Sequence, residues 1–198
     1  MKELKVVDIK LKIVRGSAGL REERFPYTTL VEYFTTDASK NLTMGISPPF
    51  YFVLKQVLNQ ELDDLERFIY HNVRPDERLF FQDLYLENNL MKISMKRTLA
   101  NIIDRIVIDK ITPIKQSTYT YAASIYLNNG QRVPDVIPSD AVVMGLLASK
   151  DIYITTELLE TKEQIDRELI EKAEAQEEGL PKDKEEKKGD PNSEILYT

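Results

Sequence analysis

Cysteine is missing from all 198 residues, and there is a single histidine. Disulfides, zinc-thiolate sites, iron-sulfur clusters and a thiol nucleophile are thereby excluded, and a His-rich metal cage with them. Long apolar runs are missing too. The longest, such as Ala141 to Ala148, falls well short of the roughly 20 residues that a membrane-spanning helix needs. The first residues, Met1-Lys2-Glu3-Leu4, alternate charge with apolar side chains and contain no apolar signal segment, so the expectation is a cytoplasmic protein without a membrane partner.

No single sign of charge dominates the first three quarters of the chain. Residues 1–150 carry 20 Lys and Arg against 18 Asp and Glu, or +2, whereas residues 151–198 carry 7 against 15, or −8. A nearly neutral body gives no global footprint for nucleic acid, although a local patch can still bind phosphate. The candidate patch is Lys92, Lys96, Arg97, Arg105, Lys110 and Lys115, which solvated strand edges explain equally well. Abundant Lys and Glu without Cys is compatible with a thermophilic source.

The periodicities predict an α+β fold, a mostly antiparallel sheet with packed helices. Val7, Ile9, Leu11 and Ile13 alternate with polar residues as a half-buried strand does. Gly16 to Pro26 is a polar loop. Tyr27 to Thr36 and Leu42 to Ile46 are expected strands joined by a turn at Asp37 to Asn41. Ser47-Pro48-Pro49 carries helix-start signals, and apolar residues at helical spacing reach Tyr70 as one long helix or two short ones. Arg74-Pro75 interrupts them, and Asp76 to Leu90 is the next expected helix, followed by a connection of about a dozen residues. Ile102 to Ile111, Thr118 to Leu127 and Gln131 to Val136 then form a meander, with Asn129-Gly130 supplying positive φ angles for its last turn. A buried helix from Ser139 to Ala148, capped by Ser139 or Asp140, and a strand from Ile152 to Thr155 complete a domain of residues 1–156. Internal repeats are not visible.

Residues 157–178 are expected to form an amphipathic helix, capped by Thr156, with a stripe of Leu158, Ile165, Leu169 and Ala173. That stripe suits docking on the domain or pairing in a homo-oligomer. Residues 179–198 have a charged tail composition.

The stretch Asp135-Val136-Ile137-Pro138-Ser139-Asp140-Ala141, followed by Asp151-Ile152-Tyr153-Ile154, resembles the bifunctional nuclease domain family. Its members carry a D-x-R-P-S-D-A pattern before a helix and a short strand. Arg74-Pro75 ahead of Gln82-Asp83-Leu84, and the strand Asp104 to Asp109, are similar to two further blocks of that family, so that the resemblance spans roughly Lys5 to Glu160. It implies metal-assisted hydrolysis of DNA or RNA. With no cysteine and one histidine, such hydrolysis calls for carboxylates holding Mg²⁺ or Mn²⁺. Asp140, Asp135 and Asp83 are the candidate metal ligands, Ser139 and Gln82 extra oxygen donors, and Arg74 the phosphate contact. Asp140, Asp83 and Arg74 would carry catalysis. Each also has a structural role open to it: Asp140 as a helix cap, Asp135 at a strand end, Asp83 on a helix surface and Arg74 as a brace.

The chain departs from the family at Ile137, where members have Arg, at Gln82, where they have His, and at Pro48, where they have an acid. A divergent member follows from this, with hydrolysis altered or replaced by a non-catalytic binding or oligomeric assembly role. His71 lies near a predicted helix end, where an imidazole meets the negative helix terminus without any catalytic duty. Tyr119 and Tyr121 should share one face of their strand and Tyr126 the other, placed to stack bases or simply to pack.

Overall fold

The computed structural model describes residues 2–15, 27–72, 89–115 and 118–178. Seven strands, β1 (Glu3–Arg15), β2 (Tyr27–Thr35), β3 (Leu42–Ile46), β4 (Ile103–Lys115), β5 (Thr118–Leu127), β6 (Arg132–Val136) and β7 (Ile152–Thr155), form one sheet in the order β3-β2-β1-β7-β4-β5-β6. Only β4 and β7 pair in parallel; the other neighbours are antiparallel. The helices among the described residues are α1 (Pro48–Val57), α2 (Asp64–Asn72), α3 (Asn89–Ile102), α4 (Pro138–Leu147) and α5 (Thr156–Glu178). The fold is therefore α+β with a mostly antiparallel sheet. No helix among the described residues is long and apolar enough to cross a membrane.

One core holds the domain together. Strand side chains such as Ile9, Val31, Leu42, Ile106, Ile108, Ile125 and Ile154 meet Phe50 and Leu54 of α1, Ala141 and Val142 of α4, and Leu158 and Leu159 of α5. Alternation along β2 is strict, with Thr29, Val31, Tyr33 and Thr35 buried. In β1 the expected alternation breaks once. A bulge between Val6 and Asp8 leaves Val7 60% exposed, and Leu4 takes the inward role before it, as Ile9 does after it. The extra residue flips the face, as a one-residue slip must. That bulge also divides the labour of β1, whose first residues pair with β7 and whose remainder pairs with β2.

Several local expectations are corrected. The presumed connection before β4 is helical: α3 runs to Ile102 because Met95 and Leu99, four apart, pack on the core. The N–H and side-chain amide of Asn128 then satisfy the Ile102 and Asn101 carbonyls at the end of that helix. In the β5–β6 hairpin only Gly130 has positive φ, at 83°. Its N–H donates to Leu127 O while the Leu127 N–H donates to Gln131 O, which is a turn closed by a glycine bulge. Neither Ser139 nor Asp140 caps α4. Pro138 is already its first residue, so the cap position falls on Ile137, which has no side-chain acceptor. At α5 the capping hydroxyl belongs to Thr155, which accepts from the Leu158 N–H at 3.3 Å, whereas the Thr156 N–H is tied to Lys2 O. Of the helix expected over residues 76–90, residues 76–88 lie outside the described residues, and Asn89 and Leu90 open α3. The loop of residues 16–26 and the tail of residues 179–198 also lie outside them.

The backbone contains the repeat that the sequence hides. Both β1 and β4 have 13 residues, both β3 and β6 have 5, and both α1 and α4 have 10. Each helix begins with proline after an extended cap residue and ends before a residue in the left-handed region, Asn59 at φ 54° and Ser149 at φ 53°. The closing hydrogen bonds also correspond. Gln60 N–H donates to Lys55 O at 2.8 Å and Lys150 N–H to Gly145 O at 2.9 Å, the six-to-one bond of a Schellman ending. From β3 and β6 onward the two copies lie ninety residues apart.

Tyr33 is fully buried in the core, and its hydroxyl has no hydrogen-bond partner. Burial pushes that hydroxyl well above the ordinary tyrosine pKa. Removing an unpaired buried hydroxyl restores no lost bond, so Tyr33→Phe should leave stability unchanged or raise it by about 1 kcal/mol in urea unfolding. A loss of comparable size would reveal a partner for the oxygen.

Candidate functional site

The signature Pro138-Ser139-Asp140-Ala141 forms the first turn of α4. Pro138, Ser139 and Ala141 are buried and Asp140 is half-buried. Buried Ser139 and Ala141 tie this turn to the core, which gives the motif a structural duty. Asp140, as the acid of that first turn, is favourably placed against the helix dipole and also has an interaction partner of its own.

Asp135 sits in β6 with φ 56°, where a register irregularity bends the strand, and its carboxylate pairs with Lys110 Nζ at 2.9 Å. Arg74, Gln82 and Asp83 lie outside the described residues. Among the described residues, no three His, Cys, Asp or Glu side chains stand close enough together to hold a metal ion. His71 falls in the last turn of α2 as expected.

The expected basic patch is dispersed. Lys96 and Arg97 project from α3, whereas Arg105 and Lys110 belong to β4. Arg105 stacks on Tyr126 at 4.1 Å from the ring centre and bonds Glu3 and Asp104. Next to it Arg132 reaches both Asp109, at 2.8 Å, and the Ser124 hydroxyl, which itself donates to Asp109 at 2.6 Å. These guanidiniums are already neutralised by carboxylates, so the face offers little net attraction to phosphate. Tyr119 and Tyr121 contact each other edge-on at 5.5 Å, on the other face from Tyr126.

The concave feature that includes the signature is a cleft of about 480 Å³, lined by residues 44–47 at the β3–α1 junction, 119–121 of β5 and 137–139 at the β6–α4 junction. A smaller cleft, of about 380 Å³, meets the opposite ends of the same two helices at Leu58, Gln60, Leu146 and Lys150. Hence α1 and α4 present their N-termini to one cleft and their C-termini to the other, and their positive dipole ends converge on the larger. The corresponding junctions of the two repeats thus face each other across one site.

The larger cleft is rich in donors and free of charge. None of the described residues lining it is Asp, Glu, Lys, Arg or His. The first bonds inside the helices are Tyr51 N–H to Ser47 O and Ala141 N–H to Ile137 O, which leaves the Phe50, Ser139 and Asp140 N–H groups without an intrahelical acceptor. Neither Ser47 nor Ile137 supplies a side-chain cap. Two hydroxyls of the lining, Ser47 Oγ and Tyr121 Oη, are shielded from water and have no hydrogen-bond partner. Such a group costs about 1–3 kcal/mol when left unpaired. Burial, and secondarily neighbouring Tyr119, push the Tyr121 hydroxyl above its ordinary pKa, so it stays protonated and able to donate. Ser47 and Tyr121 are the residues that sequence reasoning passed over. Ser47 was legible only as a cap, and Tyr121 only as a strand aromatic.

No family model matches the chain, and no curated protein matches it.

Proposed function

We propose that this chain is a divergent bifunctional-nuclease-like domain that handles phosphodiesters at the start of α4. The observation that carries this is the position of the signature: Pro138-Ser139-Asp140-Ala141 opens a helix whose uncapped N-terminus faces the larger cleft. Residues that would hold Mg²⁺ or Mn²⁺ are Asp140 with Asp83, and Arg74 would meet a phosphate oxygen bidentately. The ion would polarise the phosphoryl group and generate hydroxide from water. Nuclease assays on single- and double-stranded DNA and RNA, with Mg²⁺, Mn²⁺ or EDTA, test the proposal. Divalent-dependent cleavage should fall by ~100-fold or more in Asp140→Ala while the fold persists. Absence of turnover with either ion sinks hydrolysis.

A non-catalytic binding or assembly role has one observation in its favour. Asp135, one of three expected ligands, is engaged by Lys110 instead. In that role α5 would contribute to a homo-oligomer. A truncation that tests this has to spare the first turns of α5, because Leu158 and Leu159 are core residues. Ile170, 57% exposed on the same helix, is the better probe. Loss of self-association in Ile170→Glu, read by light scattering, supports assembly, and an unchanged mass removes α5 from it.

A further inference from the structure

We propose that the cleft between the two repeats binds a single phosphomonoester carried on a planar, largely apolar body, a ligand of mononucleotide size. The inference rests on the reading that ligands enter at the start of α4, and does not depend on hydrolysis.

Three features select this chemistry. Two helices aim their N-termini at one cleft, and the Phe50, Ser139 and Asp140 N–H groups there lack intrahelical acceptors, which suits one oxyanion. Lys and Arg are absent from the described lining, so the cleft lacks the several cations with which a protein tracks a polyanionic duplex. Its walls include Ile137, which is 47% exposed, and the ring of Tyr119, on which a base can stack. A volume of about 480 Å³ falls within the range of small-molecule sites, roughly 300–1,000 Å³.

The unpaired hydroxyls point to a ligand independently of the helix ends. Buried polar atoms are nearly always bonded, and those of Ser47 and Tyr121 lie on two different elements of the same cleft wall. Rotation of Ser47 about its first side-chain torsion brings Oγ toward the space between the helix ends, and a small parting of the wall admits the Tyr121 hydroxyl. Both then donate to phosphate oxygens. The second junction contributes backbone only, since Ile137 occupies the position equivalent to Ser47.

Calorimetric titration of the full chain with thymidine 5′-monophosphate, thymidine and inorganic phosphate tests the site, using wild type, Ser47→Ala and Tyr121→Phe. The monophosphate should bind at least ~10-fold more tightly than thymidine, and each variant should weaken it by a similar ~10-fold factor, about 1.4 kcal/mol. Both variants should melt no lower than wild type, because each removes an unpaired hydroxyl. Equal affinity for thymidine and its monophosphate in the wild type overturns the inference, whatever the variants do. So does an affinity unchanged in both variants. Nuclease activity without monophosphate binding overturns this site alone, monophosphate binding without nuclease activity overturns hydrolysis alone, and the absence of both overturns both.

Discussion

Glu66→Ala should cost the fold about 3–5 kcal/mol, the penalty for removing one partner of a buried ion pair. Glu66 is only 4% exposed, yet it carries four interactions. Its carboxylate accepts from the Tyr51 hydroxyl, pairs with Lys55 Nζ at 2.9 Å and accepts from the Asp63 N–H at 2.8 Å. Its own N–H donates to Asp63 Oδ1 at 2.8 Å, which completes a capping box at the start of α2. One side chain therefore caps α2 and clamps it to α1. Alanine would leave the buried Tyr51 hydroxyl and the Lys55 amine, which also reaches Glu61 O, short of a partner. At roughly 2–4 °C per kcal/mol for a chain of this size, the melting midpoint should drop by about 10 °C. Glu66→Gln keeps the cap geometry and a smaller penalty is expected. A fall of only a degree or two in Glu66→Ala would mean that water replaces the carboxylate at no cost.

The same carboxylate sets an acid limit. Burial alone would raise its pKa, but the Tyr51 and Lys55 hydrogen bonds outweigh burial and hold it below the ordinary value of 4.5. A folded-state pKa below the unfolded one means the stabilisation is complete above about pH 4.5 and is lost as pH falls further through the folded value. Wild type should therefore lose stability on acidification through that window, and Glu66→Gln should lose less. Parallel pH profiles for the two proteins would remove Glu66 from the acid response.

Much of this architecture was legible because hydrophobic period and turn chemistry are local signals. β3, β5 and the helix opened by Ser47-Pro48-Pro49 form where their residues predict. What escaped depends on partners distant in sequence. The Val7 bulge exists because β1 serves two neighbours, β2 and β7, with one strand. α3 is helical because Met95 and Leu99 find the core, in a stretch whose Lys, Ser and Arg residues alone resemble a connection. The repeat escaped because the two junctions, Gly45-Ile46-Ser47-Pro48 and Asp135-Val136-Ile137-Pro138, share only the proline, while the feature common to both is a path of the backbone. For the site, the signature located the helix end correctly. Its chemistry was misassigned to side-chain capping, since proline at the first helical position moves Ser139 and Asp140 inside the helix. The opposing wall, Ser47 and Tyr121, could not be paired with it before the fold brought junctions ninety residues apart together.

Gly145→Val should destabilise by about 3 kcal/mol, near the upper end of what overpacking costs. Gly145 lies on the face of α4 that meets the sheet, and a Cβ there would stand 2.6 Å from Ile106 Cγ1 and 3.6 Å from Ile152 Cγ1. Glycine in a helix interior normally sacrifices about 1 kcal/mol against alanine, so its presence here reflects space and not backbone freedom. Ile106 cannot yield easily. It is fully buried in β4, paired with Ile125 on one side and Ile152 on the other, and its branched side chain is stiff at the first torsion. Valine would push α4 away from the sheet, and because α4 forms one wall of the larger cleft, monophosphate binding should weaken together with stability. Gly145→Ala tests the mechanism more finely through a cycle with Ile106→Ala. The second change removes the clashing Cγ1 and opens a cavity that the new methyl partly fills. The double variant should then be more stable than the sum of the single effects by about 1 kcal/mol or more. Additive effects in chemical denaturation would show that α4 relaxes freely over β4, and the close approach of helix to sheet would lose its role in positioning the cleft.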